Sequence, residues 1–131
     1  MNKPFVHLHL HTEYSVLDGL GKIKDYALKA IENEMPALAI TDHGNMYGVK
    51  DFYDTVTKIS KEKGVALKPI IGCEVYVNPE GRHTKRGRED QSANHLLLLA
   101  KNKLGYHNLM RICSIGYIEG FYYHPKVDRE I

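Results

Sequence analysis

Two cysteines in 131 residues, Cys73 and Cys113, exclude a disulfide-stapled scaffold, and neither sits in the C-x-x-C spacing of a thiolate metal site. They favour reduced thiols in a cytoplasmic chain. Charge of one sign is lacking too: 18 Lys and Arg against 16 Asp and Glu leave a net +2, too little for electrostatics alone to imply a nucleic-acid or membrane partner. No stretch approaches the roughly 18 uninterrupted apolar residues of a membrane span. The opening MNKPFVHLHLH is broken by histidines where a leader would need its apolar centre. There is no internal repeat and no low-complexity tract. GLGK, at residues 19–22, has neither dinucleotide nor phosphate-loop spacing and reads as a turn into a helix. What remains is a chain with 43% hydrophobic residues, enough for one soluble domain that buries a core without staples.

The hydrophobic pattern alternates between two periods. Phe5 to Leu10 is a short β-type run, and Ser15 to Gly21 is turn-forming. From Lys22 to about Glu34 the apolar residues Ile23, Tyr26, Ala27, Ala30 and Ile31 repeat as one helix face. Pro36 to Asp42, PALAITD, suits a buried strand. Val49, Phe52, Tyr53, Val56 and Ile59 restore helical spacing up to Gly64, and Leu67 to Val77, rich in Ile and Val, is a strand again. Asn78 to Asn94 reads as an exposed loop whose basic residues Arg82, Lys85, Arg86 and Arg88 are diluted by Glu80, Glu89 and Asp90. His95 to Asn102 is a fourth strand, and Leu104 to about Ile118 a third helix. Four strands alternating with helices predict an α/β fold with a mostly parallel sheet or barrel. Four strands do not close a barrel, so the chain reads as the first part of something longer.

Polar residues collect at strand ends. In a strand His7, His9 and His11 share one face, about 6.5 to 7 Å apart per two-residue step, so two neighbours can grip one ion. The alternative is a half-buried strand whose imidazoles are satisfied by hydrogen bonds. TDHGN, residues 41–45, ends an apolar strand in an acid, an imidazole and a glycine, where parallel α/β folds gather functional groups; a helix-capping turn at Asp42 is the competing account. Glu74 is an acid inside IIGCEVYV and needs a cation or an ion-pair mate such as Lys50 or Lys68. Asp18 belongs to ordinary turn chemistry or swings over the same crevice, and His95 opens the fourth strand. A converging His/Asp/Glu set suits Zn²⁺, Mn²⁺ or Fe²⁺ and supports phosphoester hydrolysis by paired ions. His9 and His11 are then ligands and His7 their support or a core residue. Cys73 reads as a buried strand residue, and His83, His107 and His124 carry no role.

HLHTEYSVLDG, PALAITDHGNMYG, KPIIGCEVYV and HLLLLAKNKLGYHNLMRICSIGYIEGFYYHPKVD, in this order, resemble the N-terminal PHP (polymerase and histidinol phosphatase) domain of bacterial replicative DNA polymerase III α subunits. The resemblance covers nearly the whole chain. It implies an incomplete, distorted, TIM-like β/α barrel of the PHP type, with residues 1–131 as its N-terminal portion, truncated before closure. It also implies up to three divalent metal ions, with His9, His11, Asp18, His43, Glu74 and His95 at ligand positions and Asp42 as a support. A later cysteine and an Asp-x-His pair complete that ligand set in the family. His95 fits only if its strand runs antiparallel. Two functions follow from the resemblance: a metal-dependent 3′–5′ exonuclease or phosphoesterase module, or a non-catalytic structural and docking domain for a proofreading exonuclease subunit. A free-standing PHP phosphatase is a third. The expected partners are the remainder of a polymerase chain, which would use Mg²⁺ at its own site, and DNA through that parent, with no membrane.

Overall fold

A computed structural model of the chain describes residues 4–85, 87 and 93–131. Helix α1, Ile23–Glu32, buries Ile23, Ala27 and Ala30, one turn apart. Helix α2, Val49–Lys63, buries Val49, Phe52, Val56 and Ile59 at the same spacing and stops where Gly64 turns left-handed at φ 66°. Helix α3, Lys103–Ile118, starts at Asn102, whose side chain accepts a hydrogen bond from the Gly105 amide at 2.9 Å. The strands are β1, Ala37–Ile40; β2, Lys68–Val77; β3, Asn94–Leu99; β4, Phe121–Tyr122; and β5, His124–Val127.

β2 is the spine of a mixed five-stranded sheet. β1 runs parallel to its first half, Ala37 beside Lys68 and Ile40 beside Ile71. β3 runs antiparallel along the other edge, Gly72 beside Leu99 and Tyr76 beside His95. β5 joins in parallel at Tyr76 and Val77, continuing the β1 edge, and β4 folds back on β5. Strand side chains alternate between faces. Leu38 and Ile40 of β1 therefore share a face with Cys73 and Val75 of β2. Leu38 and Ile40 pack with Phe52 and Val56 under α1 and α2, and Cys73 and Val75 with Leu109 of α3 and Val127. All three helices thus cover one face. Phe52 and Val56 are fully enclosed there, and each such side chain stabilises the fold by about 1.5–3 kcal/mol. Glu74 and Tyr76 project from the opposite face.

Two expectations are corrected. Phe5 to Leu10 is extended but forms no regular strand. Ala39 N donates to His7 O at 3.0 Å and Thr41 N to Leu10 O at 2.9 Å, so three residues separate acceptors that a regular strand would space by two. Leu10 N meanwhile turns to the Thr41 hydroxyl at 2.7 Å. The sheet is not mostly parallel, because β3 and β4 are antiparallel. The last residues contribute a short hairpin, β4–β5, pivoting on Tyr123 at φ 60°. In the basic loop Arg82 binds Glu119 at 2.7 Å and Asp128 at 2.9 Å, while Arg86, Arg88, Glu89 and Asp90 lie outside the described residues.

Candidate metal centre

Glu74 is 4% exposed, yet no Lys or Arg among the described residues pairs with it; Lys50 pairs with Asp54 instead. Imidazoles surround it. His9 Nε2 lies 2.6 Å and His11 Nε2 3.1 Å from Oε2, and His95 Nδ1 lies 2.6 Å from Oε1. His43 Nδ1 stands 3.6 Å from Oε2 while its Nε2 meets Asp18 Oδ2 at 2.9 Å. The antiparallel direction of β3 brings His95 to this rim, since its first residues pair with the last of β2. His43 arrives by extension of β1, as the Gly44 amide donates to Glu74 O at 2.8 Å and the Glu74 amide to Asp42 O at 3.1 Å. The extra residue between His7 and Leu10 breaks the alternation that would align all three early histidines. His9 and His11 reach Glu74, whereas His7 is exposed and packs edge-on against Phe5, not in the core.

Asp42, 1% exposed, faces away from the imidazoles. Its Oδ1 accepts from the Thr12 amide at 2.6 Å and the Ser15 hydroxyl at 2.7 Å, and its Oδ2 from the Thr12 hydroxyl at 2.8 Å. Ser15 Oγ in turn accepts from the His43 amide at 3.1 Å. This buried knot anchors the turn that carries Asp18, and Gly19 is required in it because a Cβ there would lie 1.6 Å from Thr12 O.

The electrostatics follow from crowding one carboxylate with imidazoles. Burial lowers the pKa of His11 below its usual 6.5, the charge of His43 adds to this, and Glu74 opposes it. The shift favours the neutral ring, the form that offers a lone pair. Burial pushes Glu74 up, but the hydrogen bonds of His9 and His95 and the charge of His43 outweigh it, leaving its pKa below the usual 4.5. His11 Nδ1 and His43 Nδ1 are buried without a hydrogen-bond partner. An orphaned nitrogen such as His43 Nδ1, 3.6 Å from the Glu74 carboxylate, fits a cation. Two triads, His9/His11/Glu74 and His43/Glu74/His95, each hold three donor atoms within 4.8 Å of one another, and Glu74 belongs to both. Nitrogen and carboxylate donors without thiolate suit Zn²⁺, Mn²⁺ or Fe²⁺.

The residues from the first of these histidines onward, 7–131, match the family model described as PHP domain. The chain belongs to the PHP domain family. It is 50% identical over 128 residues to DNA polymerase III subunit alpha of Chlamydia muridarum, a match covering 97% of this chain and 10% of that protein. The subunits of the same description from Helicobacter pylori and Thermus aquaticus are 47% identical over 130 residues and 48% over 131, covering 99% and 97% of this chain and 10% of each relative. This PHP chain therefore spans about a tenth of the length of the curated relatives it matches.

Two residues packed against these imidazoles escaped the sequence reading of this PHP chain. Tyr76 stands two positions after Glu74 on the same face, and its ring meets His95 edge-on at 4.9 Å and stacks on His124 at 4.6 Å. Period-two alternation from Glu74 was a usable signal for Tyr76. None pointed to His124, which arrives through the β4–β5 hairpin. Burial, then the neighbouring His95, lowers the pKa of His124. No helix among the described residues is long and apolar enough to cross a membrane.

Proposed function

We propose that this chain is the metal-holding part of a PHP domain in a bacterial replicative polymerase α subunit, and that the domain hydrolyses phosphodiesters at DNA 3′ ends as a 3′–5′ exonuclease. The observation that carries the reading is the buried Glu74 carboxylate with His9, His11, His43 and His95 turned toward it. Glu74 belongs to both donor sets, so His9 and His11 would hold one ion with it and His43 and His95 a second, with Asp18 against His43 at the outer edge. When bound, such ions lower the pKa of an attacking water and offset charge on a phosphoryl group. The chain's own contribution is to fix the donors. Asp42 holds the Thr12–Ser15 turn, the turn holds Asp18 against His43, and the β2–β3 pairing holds His95 against Glu74. On this reading the one-faced helix layer is the start of a distorted β/α barrel that the parent completes. Replication puts it in the cytoplasm, with the rest of the polymerase chain as its partner and DNA bound through that chain; the Mg²⁺ of polymerisation belongs elsewhere in the parent.

A second reading is favoured by one observation, an apolar groove of about 490 Å³ bordered by Val75, Leu98, Ile112 and Val127. Here the domain is a non-catalytic scaffold that docks a separate proofreading exonuclease subunit. The test is shortening of 5′-labelled single-stranded DNA by the full-length protein, with zinc and manganese content measured alongside. Loss of both shortening and metal in His9→Ala and His43→Ala supports the first reading. Metal content that these substitutions leave unchanged removes it, and metal without any shortening favours the second.

A further inference from the structure

Tyr76 touches one half of the metal centre and not the other. Its ring stands edge-on to His95 at an interplanar angle of 87° and 4.9 Å between centroids. It lies nearly parallel to His43 at 6.1 Å, and it also stacks on His124 at 4.6 Å. His43 and His95 are the two imidazoles that, with Glu74, form one of the triads. His11 instead stacks on His43 at 3.9 Å and His9 packs edge-on to His11, with no ring contact to Tyr76.

The ring is wedged in place. Gly44, at φ 59°, gives it room: a Cβ there would meet Pro125 Cγ at 2.7 Å and Tyr76 Cε2 at 3.0 Å. Backbone pairing fixes it from below, since Tyr76 lies opposite His95 on β3 and Lys126 on β5. An imidazole rotates freely about its terminal bond unless something flat lies against it. Flanking rings restrict that rotation: Tyr76 lies against His95 at 4.9 Å, and His43 carries His11 at 3.9 Å with Tyr76 farther off at 6.1 Å, while Nδ1 of His43 and of His95 faces Glu74. Partners that orient a ligand in this way commonly contribute about 10- to 100-fold to metal affinity.

We infer that Tyr76 is the positioning residue of the His43/Glu74/His95 half of the centre, acting through its ring and not its hydroxyl. The inference rests on the metal-binding reading and adds which residue sets the geometry of one ion. The ring, not the oxygen, makes every contact named above, so Tyr76→Phe keeps the function and Tyr76→Ala loses it.

The experiment is a Co²⁺ titration of the full-length protein, following the visible ligand-field absorption and the cobalt content. Unmodified protein and Tyr76→Phe should bind with the same stoichiometry and spectrum. Tyr76→Ala should weaken one cobalt by about 10- to 100-fold and change its absorption, leaving the other as it was. Tyr76→Leu, which keeps bulk without a plane, serves the same purpose if the alanine variant does not fold. A spectrum and affinity unchanged in these variants overturns the inference, as does a Tyr76→Phe variant that behaves like Tyr76→Ala. Equal weakening of both ions also overturns it. Unmodified protein that binds no cobalt overturns the metal-binding reading itself, a result distinct from all of these.

Discussion

Replacing Glu74 by glutamine isolates the carboxylate charge while keeping the shape of the side chain. Glu74 supplies one of three donors to each triad, so the substitution leaves two imidazoles on each side. Partners that merely orient a ligand are worth 10- to 100-fold in affinity; a donor that touches both ions should cost at least the upper figure, about 100-fold or about 2.7 kcal/mol per ion. At a free metal concentration roughly ten times the native dissociation constant, each native site is about nine-tenths filled, and each site of the variant about one-tenth. The full-length protein is dialysed to equilibrium against Zn²⁺ or Mn²⁺ and its metal content measured. Glu74→Gln should lose both ions together. His95→Ala should lose one, that of its own triad, and His9→Ala the other. A Glu74→Gln variant that loses a single ion, or none, refutes the shared-carboxylate geometry, as does complete loss in both histidine variants.

Asp42→Ala strands the buried donors of Thr12 and Ser15, at about 1–3 kcal/mol for each unsatisfied group. It should lower the denaturant midpoint and release Asp18, and unchanged unfolding would contradict this. Acid should destabilise the metal-free, EDTA-treated protein. The pKa values of His11 and Glu74 lie below their usual 6.5 and 4.5, so the unfolded chain takes up protons that the folded chain refuses. Stability present above those values is lost as pH falls through them, His11 acting first, and a urea midpoint that rises on acidification would count against the cluster. Gly44→Ala forces a left-handed φ of 59° on a residue with a Cβ, costing roughly 1–2 kcal/mol before any displacement of Pro125 and Tyr76. Its unfolding midpoint should fall, and cobalt absorption reports whether Tyr76 has moved.

Much of the fold was legible because burial imposes periods. Ile23, Ala27 and Ala30 announced α1, and the run from Val49 to Ile59 announced α2 with its stop at Gly64. The direction of β3 was not legible: the loop from Asn78 to Asn94 is long enough to return the chain either way, and LLLL reads alike in both. That direction decides where His95 falls. The kink in the first segment was hidden too, because MNKPFVHLHLH alternates faithfully while the Thr41 hydroxyl captures the Leu10 amide. Glu74 could be singled out as an acid among apolar neighbours, but its partners could not. The lysines offered as mates are lured elsewhere or exposed, and the imidazoles around it come from three separate stretches of chain. The β4–β5 hairpin, only 2 and 4 residues per strand, is too short for any period to register, and His124 travelled with it.

Anomalous diffraction from crystals of the full-length protein, grown with Mn²⁺ or Zn²⁺ and recorded at the metal edge, tests the central claim most directly. Two peaks are predicted next to the Glu74 carboxylate, each about 2.0–2.2 Å from its nearest donors, one with His9 and His11 and the other with His43 and His95. Density that leaves Glu74 bonded only to imidazoles, with every ion elsewhere in the protein, would contradict it.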